Sequence, residues 1–173
     1  MSTFNFIEEY KIPTILCDNL IDYYRNNKEY KSDRQDILNT KEVIFYNDSN
    51  NKVVRSFFDI LLKYVTNYMI KYKLNNKVQI SKTNNIQHYQ AKTGYVNLHY
   101  EKNKENPKRQ LVYMIYLNTI KEGGGTEFPF QNTIIKAIKG NLIIWPADFT
   151  HPHKGIISET EEKYIATGWF EII

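Results

Sequence analysis

Cysteine is nearly absent: Cys17 stands alone in 173 residues, so no disulfide can form within the chain. Long apolar runs are missing as well. No window approaches the roughly 18–20 apolar residues of a membrane-spanning helix, and a membrane partner is not expected. Residues 1–10 carry two glutamates and no apolar run, so no signal peptide is expected and the cytoplasm is the expected setting. Dense basic runs are also missing. The formal charge is +4, but most lysines fall singly along the chain, which argues against a nucleic-acid partner. Repeats, linkers and low-complexity segments are not found either. A single domain over 1–173 follows.

What is present is an aromatic core. Hydrophobic residues make up 42% of the chain, with fourteen tyrosines and nine phenylalanines. Asp18 is placed to cap a short helix carrying Leu20, Ile21 and Tyr24 on one side, with Asn26 and Asn27 ending it. Residues 30–50 read as polar and irregular, apart from an apolar burst at Val43–Tyr46 that suits a strand. Ser49 or Asn50 then caps the strongest helix, about 52–72. Its Val54, Phe57, Phe58, Leu61, Tyr64, Val65, Tyr68 and Tyr72 recur at three and four, which predicts a helix packed on a sheet.

From about residue 77 the period becomes two. Strands are predicted at 78–80, 85–90, 95–100, 111–118, 133–138, 141–145, 153–157 and 163–172, with Gly, Pro, Asn and Lys clusters between them. Two helices and then short strands predict an α+β fold: residues 1–76 as mainly helical support outside a double-layer jelly roll formed by 77–173. Gly123-Gly124-Gly125-Thr126 leads into Glu127-Phe128-Pro129. It lacks the Gly-Lys-Ser/Thr of a phosphate-binding loop and reads as a tight turn.

The chemistry centres on His99-Tyr100-Glu101 and on His151-Pro152-His153-Lys154-Gly155. On a strand, residues two apart share a face. A histidine and a carboxylate so placed, with a distant histidine, make the two-histidine, one-carboxylate face that leaves three positions open on an octahedral ion. His99, His151 and His153 could instead hold zinc or manganese with an open position, in a cupin-like or other non-oxygenase protein. An inactive jelly-roll binding module is a third reading.

Residues 85–171 resemble the prolyl 4-hydroxylase branch of the 2-oxoglutarate- and Fe(II)-dependent dioxygenases. The resemblance rests on motifs in one order: Gln87-His88-Tyr89, Gly94-Tyr95, His99 with Glu101, and Arg109 before Met114–Asn118. Gly124–Pro129, Lys139–Trp145, His153-Lys154-Gly155 and Lys163–Phe170 follow. It implies a double-stranded β-helix with Fe(II) on His99, Glu101 and His153, the last favoured over His151 by Gly155 and by the ten-residue step to Lys163. It also implies 2-oxoglutarate anchored by Lys163. Tyr89, Tyr116 and Trp169 match positions that contact the co-substrate or line its pocket. Arg109 matches a residue along the peptide groove. Tyr95 lies one residue off its counterpart and is a weaker substrate candidate.

His88 and Cys17 are expected to be structural. Glu101 departs from the pattern, which has aspartate. The implied activity is hydroxylation of a prolyl or other amino-acid side chain in a peptide or protein, with O₂ as oxidant and ascorbate as a further expected cofactor. Lys163 and Tyr89 are left unexplained by the non-oxygenase readings. Counting Fe(II), Glu101, 2-oxoglutarate and Lys163 gives a neutral site, which a buried pocket tolerates.

Overall fold

The computed structural model describes residues 4–27, 31–34 and 40–173. Along them run β1 (Glu8–Lys11), α1 (Thr14–Asn26), β2 (Lys31–Arg34), β3 (Thr40–Tyr46), α2 (Lys52–Lys71), β4 (Val78–Ile80) and β5 (Thr83–Tyr89). Then come β6 (Arg109–Tyr116), β7 (Thr126–Phe128), β8 (Thr133–Ile135), β9 (Asn141–Pro146), β10 (Lys154–Gly155) and β11 (Lys163–Ile172). The large antiparallel sheet has the order β1-β9-β6-β11-β5-β3-β2, with β4 also pairing β11; a smaller sheet has the order β10-β7-β8. The two sheets form the expected jelly roll, and both helices pack on the outer face of the large one.

The helices form where the apolar spacing places them. In α2, Val54, Phe57, Phe58, Leu61, Val65 and Tyr68 are all buried. Its cap is Asn51 rather than Ser49 or Asn50: the Asn51 side chain accepts from the N–H groups of Val53 (2.9 Å) and Val54 (3.3 Å), satisfying two donors that have no partner within the helix. Helix α1 starts at Thr14, after the extended Pro13, so Asp18 lies inside it instead of capping it. The Asp18 carboxylate accepts from Lys139 Nζ.

Alternation within the central strands divides the core into two layers. On β6, Leu111, Tyr113 and Ile115 face the helices, while Val112, Met114 and Tyr116 face the small sheet. On β9, Leu142 and Ile144 go one way, Ile143 and Trp145 the other. On β11, Tyr164, Ala166 and Phe170 join the helix layer and Ile165 the inter-sheet layer. The same alternation turns Lys163, Thr167 and Trp169 toward the space between the sheets.

Three expectations change. The segment read as helical support also supplies β1–β3, which pair with β9 and β5 and widen the large sheet. Part of the stretch read as irregular, 31–34, is β2; residues 28–30 and 35–39 lie outside the described residues. Residues 95–100 form no strand: beyond the isolated bridge of His99 to His153, the facing segment gives them only the Gly155 N–H bond to Tyr95 O, too little for a ladder. His153 and Lys163 belong to different sheets. Strand β10 pairs with β7 in the small sheet and β11 lies in the large one, so residues 156–162 cross between the layers and the two side chains face each other across the interior.

Candidate active site

His99 and His153 exchange both main-chain hydrogen bonds, His99 N–H to His153 O at 3.1 Å and the reverse at 2.9 Å. That close antiparallel pair sets the rings 4.4 Å apart between centroids. Each ring is oriented the same way. His99 Nδ1 lies 2.9 Å from Asn97 O, and His153 Nδ1 lies 3.1 Å from His151 O. With Nδ1–H donating to a carbonyl, Nε2 carries the lone pair, the arrangement of metal-binding histidines. Trp145, edge-on at 5.0 Å, and Phe128 wall the His153 ring; Tyr95 stands edge-on to His99 at 4.4 Å.

Glu101 joins them through a different backbone contact. Its N–H and that of Lys102 both donate to Ala147 O, at 3.0 and 2.9 Å. The Glu101 Oε1 atom then lies 3.4 Å from His99 Nε2 and 3.7 Å from His153 Nε2. One ligand atom from each of the three residues fits within 4.8 Å of the others. Burial pushes the Glu101 carboxyl pKa up, but without metal and with both imidazoles protonated, their hydrogen bonds and charge outweigh burial and hold it well below the usual carboxylate range.

The second carboxylate oxygen is turned away. Glu101 Oε2 accepts from Arg109 Nη1 at 3.1 Å and from Trp169 Nε1 at 3.0 Å. The Arg109 guanidinium lies 3.5 Å over the Trp169 ring, a stacking arrangement that suits this planar cation. Arg109 is thus not turned out along a groove as expected. It is folded inward onto Glu101.

Behind the three ligands lies a cavity of about 260 Å³. Tyr89, Tyr95, Arg109, Lys163 and Trp169 line it, as do Asn85, Gln87, Thr126 and Thr167. Lys163 is buried. Its ammonium donates to Gly124 O at 3.1 Å and sits 5.0 Å above the Tyr89 ring, with no carboxylate partner among the described residues. The acceptor carbonyl is held by a turn in which Gly123 and Gly124 have φ of +72° and +68°, left-handed values that favour glycine. Burial lowers the Lys163 pKa to about 8.

A family model described as the 2OG-Fe(II) oxygenase superfamily matches residues 84–171, half of the chain. The chain belongs to the 2OG-Fe(II) oxygenase superfamily. Its fold is similar to that of a viral collagen prolyl hydroxylase from Paramecium Bursaria Chlorella virus-1, at 21% identity and a TM-score of 0.77, covering 98% of this chain and 97% of that one. It is similar also to a Pseudomonas putida prolyl-4-hydroxylase, at 14% identity and a TM-score of 0.76 over 97% and 93% of the two chains. A Trichoplax adhaerens prolyl hydroxylase solved with a hypoxia inducible factor peptide fragment gives 15% and 0.76 over 97% and 84%. At these identities the likeness concerns the fold.

Among curated proteins, a stretch of cytoplasmic serine–tRNA ligase of Plasmodium falciparum is 29% identical over 158 residues, covering 84% of this chain. The chain spans 23% of that ligase.

With the superfamily come Fe(II) and 2-oxoglutarate, and the residues fit both. Two neutral imidazole nitrogens and one carboxylate oxygen suit iron. A buried ammonium without a counter-charge suits the far carboxylate of a dicarboxylate, since an unpaired buried charge is costly. The charge balance differs from the neutral sum expected: counting Arg109, the loaded site carries one net positive charge.

Two residues fall elsewhere. Tyr116 is fully buried behind the cavity rather than on its wall, because its hydroxyl lies 2.7 Å from Thr126 Oγ1 and Thr126 takes the lining position. His151 points away: Nε2 is 2.9 Å from Asn5 O and Nδ1 2.9 Å from Thr150 Oγ1. A three-histidine site is therefore not formed. His88 is stacked on Tyr164 and lies 2.9 Å from Glu162. Asn85, Gln87 and Thr167 were missed. The signal lay in the period of two, since Asn85 and Gln87 share a strand face with Tyr89, and Thr167 shares one with Lys163.

Proposed function

We propose that this protein hydroxylates an amino-acid side chain, a prolyl ring first among them, within a peptide or protein. In this reading His99, Glu101 and His153 hold Fe(II), and Lys163 holds the far carboxylate of 2-oxoglutarate against the Tyr89 ring. The observation that carries it is the convergence of His99 Nε2, Glu101 Oε1 and His153 Nε2 at one end of a cavity that also presents a buried, uncompensated ammonium. When bound, iron and co-substrate supply the oxidative decarboxylation of 2-oxoglutarate to succinate and CO₂, coupled to oxygen insertion into a C–H bond. The chain's own contribution is to orient both imidazoles through Nδ1, to fix the carboxylate, and to neutralise the far end of the co-substrate.

A peptide substrate is supported by the surface beside the metal ligands. Leu98, His99, Tyr100, Asn103, Phe130, Phe149 and Pro152 line a shallow groove with no acidic residue and no Lys or Arg among them. Phe130 and Phe149 are 71% and 68% exposed. Exposed apolar surface of this kind marks interaction sites, and His99 borders both groove and cavity, so a chain lying in the groove passes the iron position. The prolyl preference draws on the solved prolyl hydroxylases of the same fold.

The test is a screen of proline-containing peptides with Fe(II) and 2-oxoglutarate, read as succinate formed and as an added oxygen on the peptide. Peptide-dependent succinate with a hydroxylated proline is the expected result. Succinate coupled to oxidation of free amino acids but of no peptide would reject the peptide reading.

A further inference from the structure

We infer that Arg109 and Trp169 are positioning residues that restrict Glu101 to a single metal bond, through Oε1. The inference rests on the dioxygenase reading above. It concerns the point where this chain leaves the pattern of its branch, glutamate in place of aspartate.

A carboxylate can bind a cation through one oxygen or through both. At an octahedral ion with three protein ligands, three positions stay open. The bound co-substrate and O₂ would draw on those three. A second bond from Glu101 would remove one. The longer, more flexible arm of glutamate makes that closure a hazard of this particular chain.

The geometry answers the hazard. The near oxygen, Oε1, faces both histidines, and the far oxygen, Oε2, is taken by two donors on the other side. Those donors brace each other, since the guanidinium lies flat on the indole. Arg109 Nη1 also donates to Glu101 O at 3.2 Å, and the Glu101 N–H is fixed on Ala147. Both ends of the arm are therefore held. An aspartate on the same backbone is one methylene short and cannot reach the ligand position while keeping Arg109 and Trp169.

An ordinary ion pair that merely supports folding would share these contacts but differ in consequence. Losing an outer partner of a metal ligand usually weakens metal binding by roughly 10–100-fold. Here the opposite sign is expected. Without Arg109, Oε2 is free to join the metal and a repelling positive charge is gone, so the metal is held as well or better, at the expense of the co-substrate.

The experiment titrates redox-inert Mn(II) into the full chain, then 2-oxoglutarate into the Mn(II)-loaded protein, for the parent, Arg109→Met and Trp169→Phe. The expected result for Arg109→Met is unchanged or tighter Mn(II) binding with 2-oxoglutarate binding weaker by about tenfold, the lower end of outer-partner effects. Trp169→Phe, which loses one donor and keeps an aromatic ring, should fall between. Glu101→Asp should weaken Mn(II) binding in the parent and much less in the Arg109→Met background, as expected of coupled residues.

Arg109→Met that weakens Mn(II) and 2-oxoglutarate together, or leaves 2-oxoglutarate binding untouched, overturns the inference. Circular dichroism checks folding, and if Arg109→Met does not fold, Trp169→Phe decides on the same two readouts. A parent that binds Mn(II) but no 2-oxoglutarate would defeat the functional reading instead. The Mn(II) arm alone then tests the clamp, with weaker binding in the variants counting against it.

Discussion

Lys163 shows how one buried cation can report on the site. Its pKa falls from the lysine value of 10.5 to about 8 because burial disfavours the charged form. The folded value lies below the unfolded one, so between these limits the unfolded chain binds more protons than the empty folded protein. Stability of the empty protein should therefore rise with pH through that window. Co-substrate binding should run the other way, because only the ammonium form pairs with a carboxylate. We expect 2-oxoglutarate affinity to decline as pH rises past about 8. A flat profile from about pH 7 to about pH 10, measured on Mn(II)-loaded protein, would assign the carboxylate to another cation. Lys163→Met should remove most 2-oxoglutarate binding and spare Mn(II). The two histidines two residues apart make a second test. His153→Ala should abolish metal binding. His151→Ala should keep it and cost about 0.5–1.5 kcal/mol of stability, by removing the hydrogen bond to Asn5 O, as read by denaturant unfolding. The convergence of these side chains was legible unevenly. The order of motifs pointed to His99, Glu101, His153 and Lys163 because each has a fixed neighbour in sequence. It could not show that Arg109 turns inward, since that depends on where the Glu101 backbone is pinned by Ala147, almost fifty residues away.

At the scale of elements, regular alternation was readable and its interruptions were not. Strands β5 and β11 pair with Lys163 opposite Tyr89, Ile165 opposite Gln87 and Thr167 opposite Asn85. Each pair presents one face to the cavity, as a period of two requires. The stretch 95–100 also alternates, yet its neighbour across the gap, β10, is only two residues long, so a single bridge forms at His99 and the rest is loop. Strand β1 was missed because four residues, Glu-Glu-Tyr-Lys, carry no apolar alternation; it exists because β9 offers it an edge. Helix α2 was legible because its stripe is long. Phe57 of that stripe is fully buried and packs on Phe45, Phe58 and Tyr113. It lies on the helix side of the large sheet, in the layer that does not line the cavity. Phe57→Ala should cost about 3–5 kcal/mol in denaturant unfolding while leaving the 2-oxoglutarate affinity of the folded fraction unchanged. A parallel loss of affinity would mean that the outer layer sets the shape of the pocket.

For the whole molecule, the two sheets divide the work. The large sheet supplies Lys163, Trp169, Arg109 and most of the polar lining, the small sheet adds Thr126, and the bridge beside β10 supplies both histidines, so the cavity closes only when the two layers pack. Its open end meets the apolar rim, and there the substrate question can be tested without touching the chemistry. Phe130 follows β7 and Phe149 follows β9, and both stand in solvent. Neither lines the co-substrate cavity, and as exposed residues neither contributes much to folding. Replacing both with serine should therefore leave thermal stability, Mn(II) binding and 2-oxoglutarate binding at parent values. If a peptide lies across the rim, the double variant loses contacts made equally in the ground and transition states, so KM for peptide should rise with kcat little changed. Burying one such side chain is worth about 1.5–3 kcal/mol, which sets an increase of at least about tenfold in KM for the pair. Peptides with bulky apolar residues beside the target should suffer more than peptides with glycine or serine there. Equal loss across both peptide sets would place the substrate elsewhere on the mouth and leave the exposed phenylalanines without a part in recognition.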